Sequence, residues 1–250
     1  FKIDNYPQMN FSLEIGPNTD LQTLPPVKDV YITMLPGGEY TETTQKAGEL
    51  FKKGFNPIPH FPARSIKDEA QLKDYVSRCK DLGVKQALVI GGSREPLGIF
   101  DSSFQILETG YFEEFKIGIA GHPEGSPDIS DSDLEKAMQD KKPFADYIVT
   151  QWLLNPDPIN KFISKQSLPV HVGITGPLKL SSLIKFANIV GAKNSINFIK
   201  SNASKALDLL KPSDPNDLIE NLKGSTENFH IYTFGGLKET NNWLAKNNYA

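Results

Sequence analysis

Short apolar runs rich in β-branched residues recur along the chain, and most are followed by a stretch with helical periodicity. Runs at 11–15, 30–34, 57–61, 87–90, 117–120, 147–151, 170–174 and 229–233 read as strands. Between them, 66–82 sets Leu72, Val76 and Cys79 on one helical face, and 179–190 does the same with Leu180, Leu183, Ile184 and Ala187. Gly83 and Gly191 follow these two segments as C-terminal stops, and Ser130-Asp131-Ser132-Asp133 ahead of Leu134 has N-cap chemistry. Eight strands alternating with helices in 250 residues is the arithmetic of an α/β fold, a (β/α)8 TIM barrel, with 1–250 as one domain. An open doubly wound sheet is the alternative. The first strand, however, runs into Glu14-Ile15-Gly16-Pro17 and not into a glycine-rich phosphate turn. Leu35-Pro36-Gly37-Gly38 and Gly91-Gly92-Ser93 likewise lack P-loop or GxGxxG spacing.

Composition narrows the class. Hydrophobic residues at 38% and charged residues at 23% are globular values, which exclude disorder, collagen and coiled coil. A net charge of −3 provides no basic face for nucleic acid. No apolar run approaches the length of a membrane span. The single cysteine, Cys79, lies on an apolar stripe and reads as buried. One cysteine and no signal-like N-terminus read as cytoplasmic. The first residue is Phe1 and not Met, so further residues are expected upstream.

In such a barrel the chemistry gathers where strands end. Those ends read Glu14, Thr33, His60, Gly91-Gly92-Ser93, Gly121-His122-Pro123-Glu124, Thr150-Gln151, Gly173 and Tyr232-Thr233. The set holds one prominent acid, two imidazoles, an amide, hydroxyls and glycines. It has no acidic cluster for a hard cation, no zinc triad and no GxSxG nucleophile, so no metal is expected. Glycines at the mouth let a flat organic ligand approach the backbone. Each residue also has a plain alternative: a solvated acid for Glu14, a loop cap for His60, a structural hydrogen bond for Gln151. His171 and His230 read as core or rim histidines, and Phe186 as packing.

Asn10 to Ile15 followed by Gly16-Pro17, Val30-Tyr31-Ile32-Thr33, Pro57-Ile58-Pro59-His60, Ile119-Ala120-Gly121-His122-Pro123-Glu124-Gly125, Ile148-Val149-Thr150-Gln151 and Phe229-His230-Ile231-Tyr232-Thr233 occur in order. Together, over nearly the whole chain, they resemble the compact catalytic domain of methylenetetrahydrofolate reductase, a flavoenzyme of one-carbon metabolism and methionine biosynthesis. The resemblance implies an oxidoreductase that interconverts 5,10-methylenetetrahydrofolate and 5-methyltetrahydrofolate, with FAD as cofactor and NADH or NADPH as co-substrate. It implies Glu14 as the general acid that opens the folate ring, with a pKa raised by its surroundings. It places Gln151 on the pterin edge, and Phe186, Tyr232 and Ser93 also with the substrate. Thr33, His60, Gly91, Gly92, Ala120, His122 and Glu124 fall on the flavin side, and a homo-oligomer is allowed for.

The departures from the family pattern cluster on that flavin side. Gly91, Gly92 and Ser93 stand where the family usually shows Arg-Gly-Asp, with Arg64 or Arg94 as substitutes for the arginine. His122 replaces a tyrosine and Ser126 a histidine. The basic helix that holds the FAD pyrophosphate is poorly matched, with Lys136, Lys141 and Lys142 as its nearby cations. Two further readings follow: a flavin-independent folate oxidoreductase using NAD(P)H directly, and a non-catalytic folate-binding barrel.

Overall fold

The computed structural model describes residues 9–92, 95–126, 129–179, 181–184 and 214–249. Phe186, Ser93, Arg94, Gly191 and most of the 179–190 segment lie outside the described residues. Eight strands form a closed barrel in sequence order, each parallel to its neighbours. They are β1 Asn10–Ile15, β2 Asp29–Ile32, β3 Asn56–Pro62, β4 Gln86–Ile90, β5 Lys116–Gly121, β6 Tyr147–Trp152, β7 Val170–Thr175 and β8 Asn228–Tyr232. The described helices are α1 Tyr40–Lys52, α2 Glu69–Asp81, α3 Ser103–Leu107, α4 Asp131–Lys141, α5 Pro156–Ile163, α6 Pro215–Leu222 and α7 Leu237–Lys246. This is the (β/α)8 barrel that the alternation of apolar runs predicts, and the open sheet is set aside.

Strand ends depart from the expected ones for local reasons. β2 stops at Ile32, because the Leu35 to Gly38 turn begins close by, with Gly38 N–H donating to Leu35 O. β3 runs on to Pro62 despite prolines at 57, 59 and 62. Pro57 and Pro59 are two residues apart, so both missing N–H groups fall on the same edge of the strand. Helix signals translate directly. Asp68 caps α2 by accepting from Gln71 N, Gly83 follows it at φ +79, and Ser130 Oγ caps α4 by accepting from Asp133 N.

Two apolar layers hold the barrel. The outer one packs strands on helices, and Leu13, Val30, Leu50, Leu72, Cys79, Ile148, Val172 and Leu244 lie buried within it. The inner one fills the barrel with Tyr31, Ile58, Leu88, Tyr147 and Val149. Tyr31 donates its hydroxyl proton to Tyr147 Oη at 3.1 Å, a bond running across the barrel. The Tyr147 ring fits because β5 offers Gly118 opposite it: a Cβ at Gly118 would lie 2.6–2.9 Å from that ring and hydroxyl. No described helix is long and apolar enough to cross a membrane.

Candidate active site at the barrel mouth

Closing the barrel sets β1 beside β8, in a register that pairs Ser12 with His230 and Glu14 with Tyr232. Strand alternation then brings Ser12, Glu14 and His230 together. The Glu14 Oε2 atom lies 3.4 Å from His230 Nε2 and 3.5 Å from His60 Nε2 on β3. On its other side, His230 Nδ1 lies 3.0 Å from Ser12 Oγ. If the Ser12 hydroxyl donates to Nδ1, Nε2 carries the proton and donates to the carboxylate, which is the tautomer this chain of contacts favours. His230 is fully buried, and Tyr31 packs edge-on against its ring with centroids 4.4 Å apart.

Two opposing influences act on Glu14. Burial raises its pKa, but the His230 hydrogen bond and the nearby imidazole charges outweigh it and hold the carboxyl below its ordinary 4.5. The expected rise is therefore reversed in the protein alone. Sequence reading weighed a dry pocket and left out the imidazole that barrel closure sets beside the acid. Burial lowers His60 to about 4, so this ring is neutral near pH 7. Its Nε2 is buried with no hydrogen-bond partner, and it faces the carboxylate. Among the described residues no group of three or more His, Cys, Asp or Glu is arranged to hold a metal.

Gln151 sits at a bulge in β6. Val149 pairs with His171 and Trp152 with Gly173, so Thr150 and Gln151 together oppose one residue of β7. Thr150 Oγ1 accepts from Gly173 N at 2.8 Å. A Cβ on Gly173 would meet Thr150 O at 2.5 Å and Gln151 O at 2.6 Å, so the bulge needs glycine there. The side-chain amide of Gln151 is half-buried and makes no hydrogen bond among the described residues. Tyr232 donates its hydroxyl proton to Thr150 O at 2.9 Å, tying β8 to β6. Its ring stacks on Phe234, which stands edge-on to Trp152.

Trp152 and Phe234, which complete this aromatic wall beside the predicted Tyr232, are what sequence reading missed. Phe234 takes φ 44, a left-handed conformation that non-glycine residues rarely adopt. The signal was the Phe234-Gly235-Gly236 turn just after the eighth strand. His230 was missed as well: a histidine inside a strand reads as core until the closed barrel identifies its neighbour.

The remaining predicted residues stand at or just beyond the ends of β2, β4 and β5. Thr33 donates its hydroxyl proton to Ile15 O at 3.3 Å. Gly91 is open, with no atom within 4 Å of a built Cβ, and Gly92 has φ +93. Arg64 arches over this turn, with Nε donating to Asp101 O at 2.9 Å and Nη1 to Gly92 O at 3.5 Å. Ala120 is the next-to-last residue of β5, and Glu124 is half-buried in the loop beyond the strand. His122 is lowered to about 4, first by burial and then by the charge of Lys141.

No family model matches the sequence. Among solved structures, the chain is similar over 98% of its length to 96% of an uncharacterized protein from Clostridium thermocellum that binds two copies of 5-methyl-5,6,7,8-tetrahydrofolic acid. The TM-score there is 0.63 at 15% identity. It is also similar to an oxaloacetate acetylhydrolase in complex with 3,3-difluorooxalacetate, at TM-score 0.57 and 10% identity over 92% of this chain and 76% of that one. A putative phosphonomutase from Burkholderia cenocepacia J2315 matches at TM-score 0.56 and 8% identity, over 97% of this chain and 94% of that one. At these identities the likeness establishes the barrel fold.

Proposed function

We propose that this chain binds a reduced folate at the barrel mouth and interconverts 5,10-methylenetetrahydrofolate and 5-methyltetrahydrofolate. The observation that carries the reading is Glu14, a half-buried carboxylate at the end of β1 bracketed by two imidazoles. The barrel neighbour that binds 5-methyltetrahydrofolate supports the choice of ligand. Gln151 offers both a donor and an acceptor, which suits a pterin edge. The half-buried rings of Tyr232 and Phe234, backed by the buried Trp152, offer an aromatic surface to the rest of the molecule.

Glu14 is charged in the protein alone, so it must gain a proton before it can donate one. A folate that fills the mouth excludes water and strengthens the burial that already pushes this carboxyl upward. Glu14 is still partly exposed at the mouth and takes this proton from solvent as the ligand enters, while His230 holds the carboxyl in place. The protonated acid then gives it to the bridging nitrogen of methylenetetrahydrofolate. The carbon–nitrogen bond breaks, and the iminium formed accepts a hydride from NADH or NADPH to give the methyl group and the oxidised nicotinamide. A resident FAD would supply hydride from its ring, but the start of α4, where the family resemblance would place its pyrophosphate, carries Asp131, Asp133 and Glu135, and these do not fit that group.

The test is Glu14→Gln, with 5-methyltetrahydrofolate binding followed by calorimetry and turnover by nicotinamide absorbance. Binding should stay within about threefold while turnover falls by roughly 10²–10⁴, the usual scale for a general acid. Absence of any folate binding by the unaltered protein would overturn the reading. Folate binding without turnover, unchanged in Glu14→Gln, would leave a non-catalytic folate-binding barrel.

A further inference from the structure

The side of the mouth formed by β5, its following loop and α4 is charged against phosphate. Helix N-termini at a barrel mouth are ready-made phosphate sites, since their free N–H groups and dipole attract anions. α4 begins at that mouth, immediately after the loop that follows β5. Its first turn is already occupied. Ser130 Oγ accepts from Asp133 N and lies 2.6 Å from Asp133 Oδ2, and Asp131 Oδ1 lies 3.1 Å from a Cβ built on Gly125, against the loop itself.

Along its length α4 carries four carboxylates, Asp131, Asp133, Glu135 and Asp140, against Lys136 and Lys141. Lys136 is paired with Asp140 at 2.6 Å. Lys141 is buried at the far end of an 11-residue helix, about 16 Å from its start, and makes no ion pair among the described residues. Lys142 lies beyond it. Arg64, on the neighbouring loop, is held by two carbonyls. Lys136 is therefore neutralised, Lys141 and Lys142 lie at the wrong end of the helix, and Arg64 is already engaged.

We infer that α4 is a specificity element: the carboxylates at its start, Asp131, Asp133 and Glu135, exclude ligands with a pyrophosphate from lasting residence at the mouth and select a phosphate-free ring system there. This rests on the reading of the mouth as the ligand site. It deepens that reading by assigning the second half of the mouth to an uncharged heterocycle and not to a resident dinucleotide. NADH or NADPH then visits as a weakly held co-substrate.

The experiment compares the unaltered chain with Asp131→Asn/Asp133→Asn/Glu135→Gln, a change that keeps side-chain size and leaves the Lys136–Asp140 pair in place. FAD and riboflavin are titrated by fluorescence quenching at low salt and at 0.5 M NaCl, with melting temperature as the folding control. FAD affinity should rise about tenfold in the triple variant, equivalent to ~1.4 kcal/mol. Riboflavin affinity should move less than about twofold, and the gain should shrink in high salt. The inference is overturned if the unaltered chain binds FAD more tightly than riboflavin, or if the variant gains no FAD affinity. Calorimetry with 5-methyltetrahydrofolate on the unaltered chain tests the folate reading separately, so a failure there stays distinct from a failure of the charge screen.

Discussion

Replacing His230 with leucine isolates what holds Glu14 charged. Burial is the largest influence on this carboxyl and acts upward; the His230 bond and the imidazole charges reverse it. In His230→Leu the hydrogen bond and one of the two charges vanish, so the burial acts nearly alone and the carboxyl titrates above its ordinary value. In the unaltered protein the folded pKa lies below the unfolded one. The stability Glu14 contributes is then present above about pH 4.5 and lost as pH falls through the folded value. In the variant the folded pKa lies above the unfolded one, so Glu14 destabilises at neutral pH and the penalty disappears on acidification.

A hydrogen bond to a charged group contributes roughly 1.5–3 kcal/mol, which sets the coupling expected between Glu14 and His230 at pH 7. That coupling should fall by about 1.4 kcal/mol per pH unit once the carboxyl of the variant begins to protonate. The assay is a double-mutant cycle of Glu14→Gln and His230→Leu, by urea unfolding at intervals from pH 4.5 to 7.5. The cycle cancels the loss of the Ser12 contact, which both His230→Leu proteins share. A coupling energy that is zero at pH 7, or the same at pH 4.5 as at pH 7, would refute the reasoning.

Three further outcomes are expected. Gly118→Ala drives a Cβ into the Tyr147 ring and should cost about 1–3 kcal/mol in chemical denaturation, with much of the loss recovered when Tyr147→Leu is added. Tyr31→Phe removes the donor to Tyr147 Oη and should cost roughly 0.5–1.5 kcal/mol; if it costs nothing, the bond across the barrel contributes nothing. Cys79 is fully buried and burial pushes its thiol up, so a thiol reagent should label it only as fast as the protein unfolds. Labelling of the folded protein at the rate of a free thiol would contradict that burial.

The barrel was legible because its signal is local. Each strand shows as a short apolar run, and all eight observed strands begin within one residue of the expected start, β6 and β7 at the residue predicted. Glu14 was legible too, as an acid at the end of a strand, a position where this architecture places chemistry. What escaped was set by partners remote in sequence. His230 lies 216 residues from Glu14, so only the closing pair of strands shows that it governs the charge of the acid. The direction of the Glu14 shift was misread for the same reason. The bulge at Thr150–Gln151 was invisible because it depends on Gly173, a residue that looks like any other strand glycine.

The bond between Tyr31 and Tyr147 also bears on how the chain folds. It spans 116 residues and the Glu14–His230 contact spans 216, so neither exists until nearly all strands have met. Contacts this distant in sequence are slow to form, because the loop entropy is paid before they return any stabilisation. The acid and its imidazole therefore come together only when β1 and β8 pair. No partly folded chain that lacks β8 carries the pair, and protonation at Glu14 reports directly on whether the ring of strands is shut.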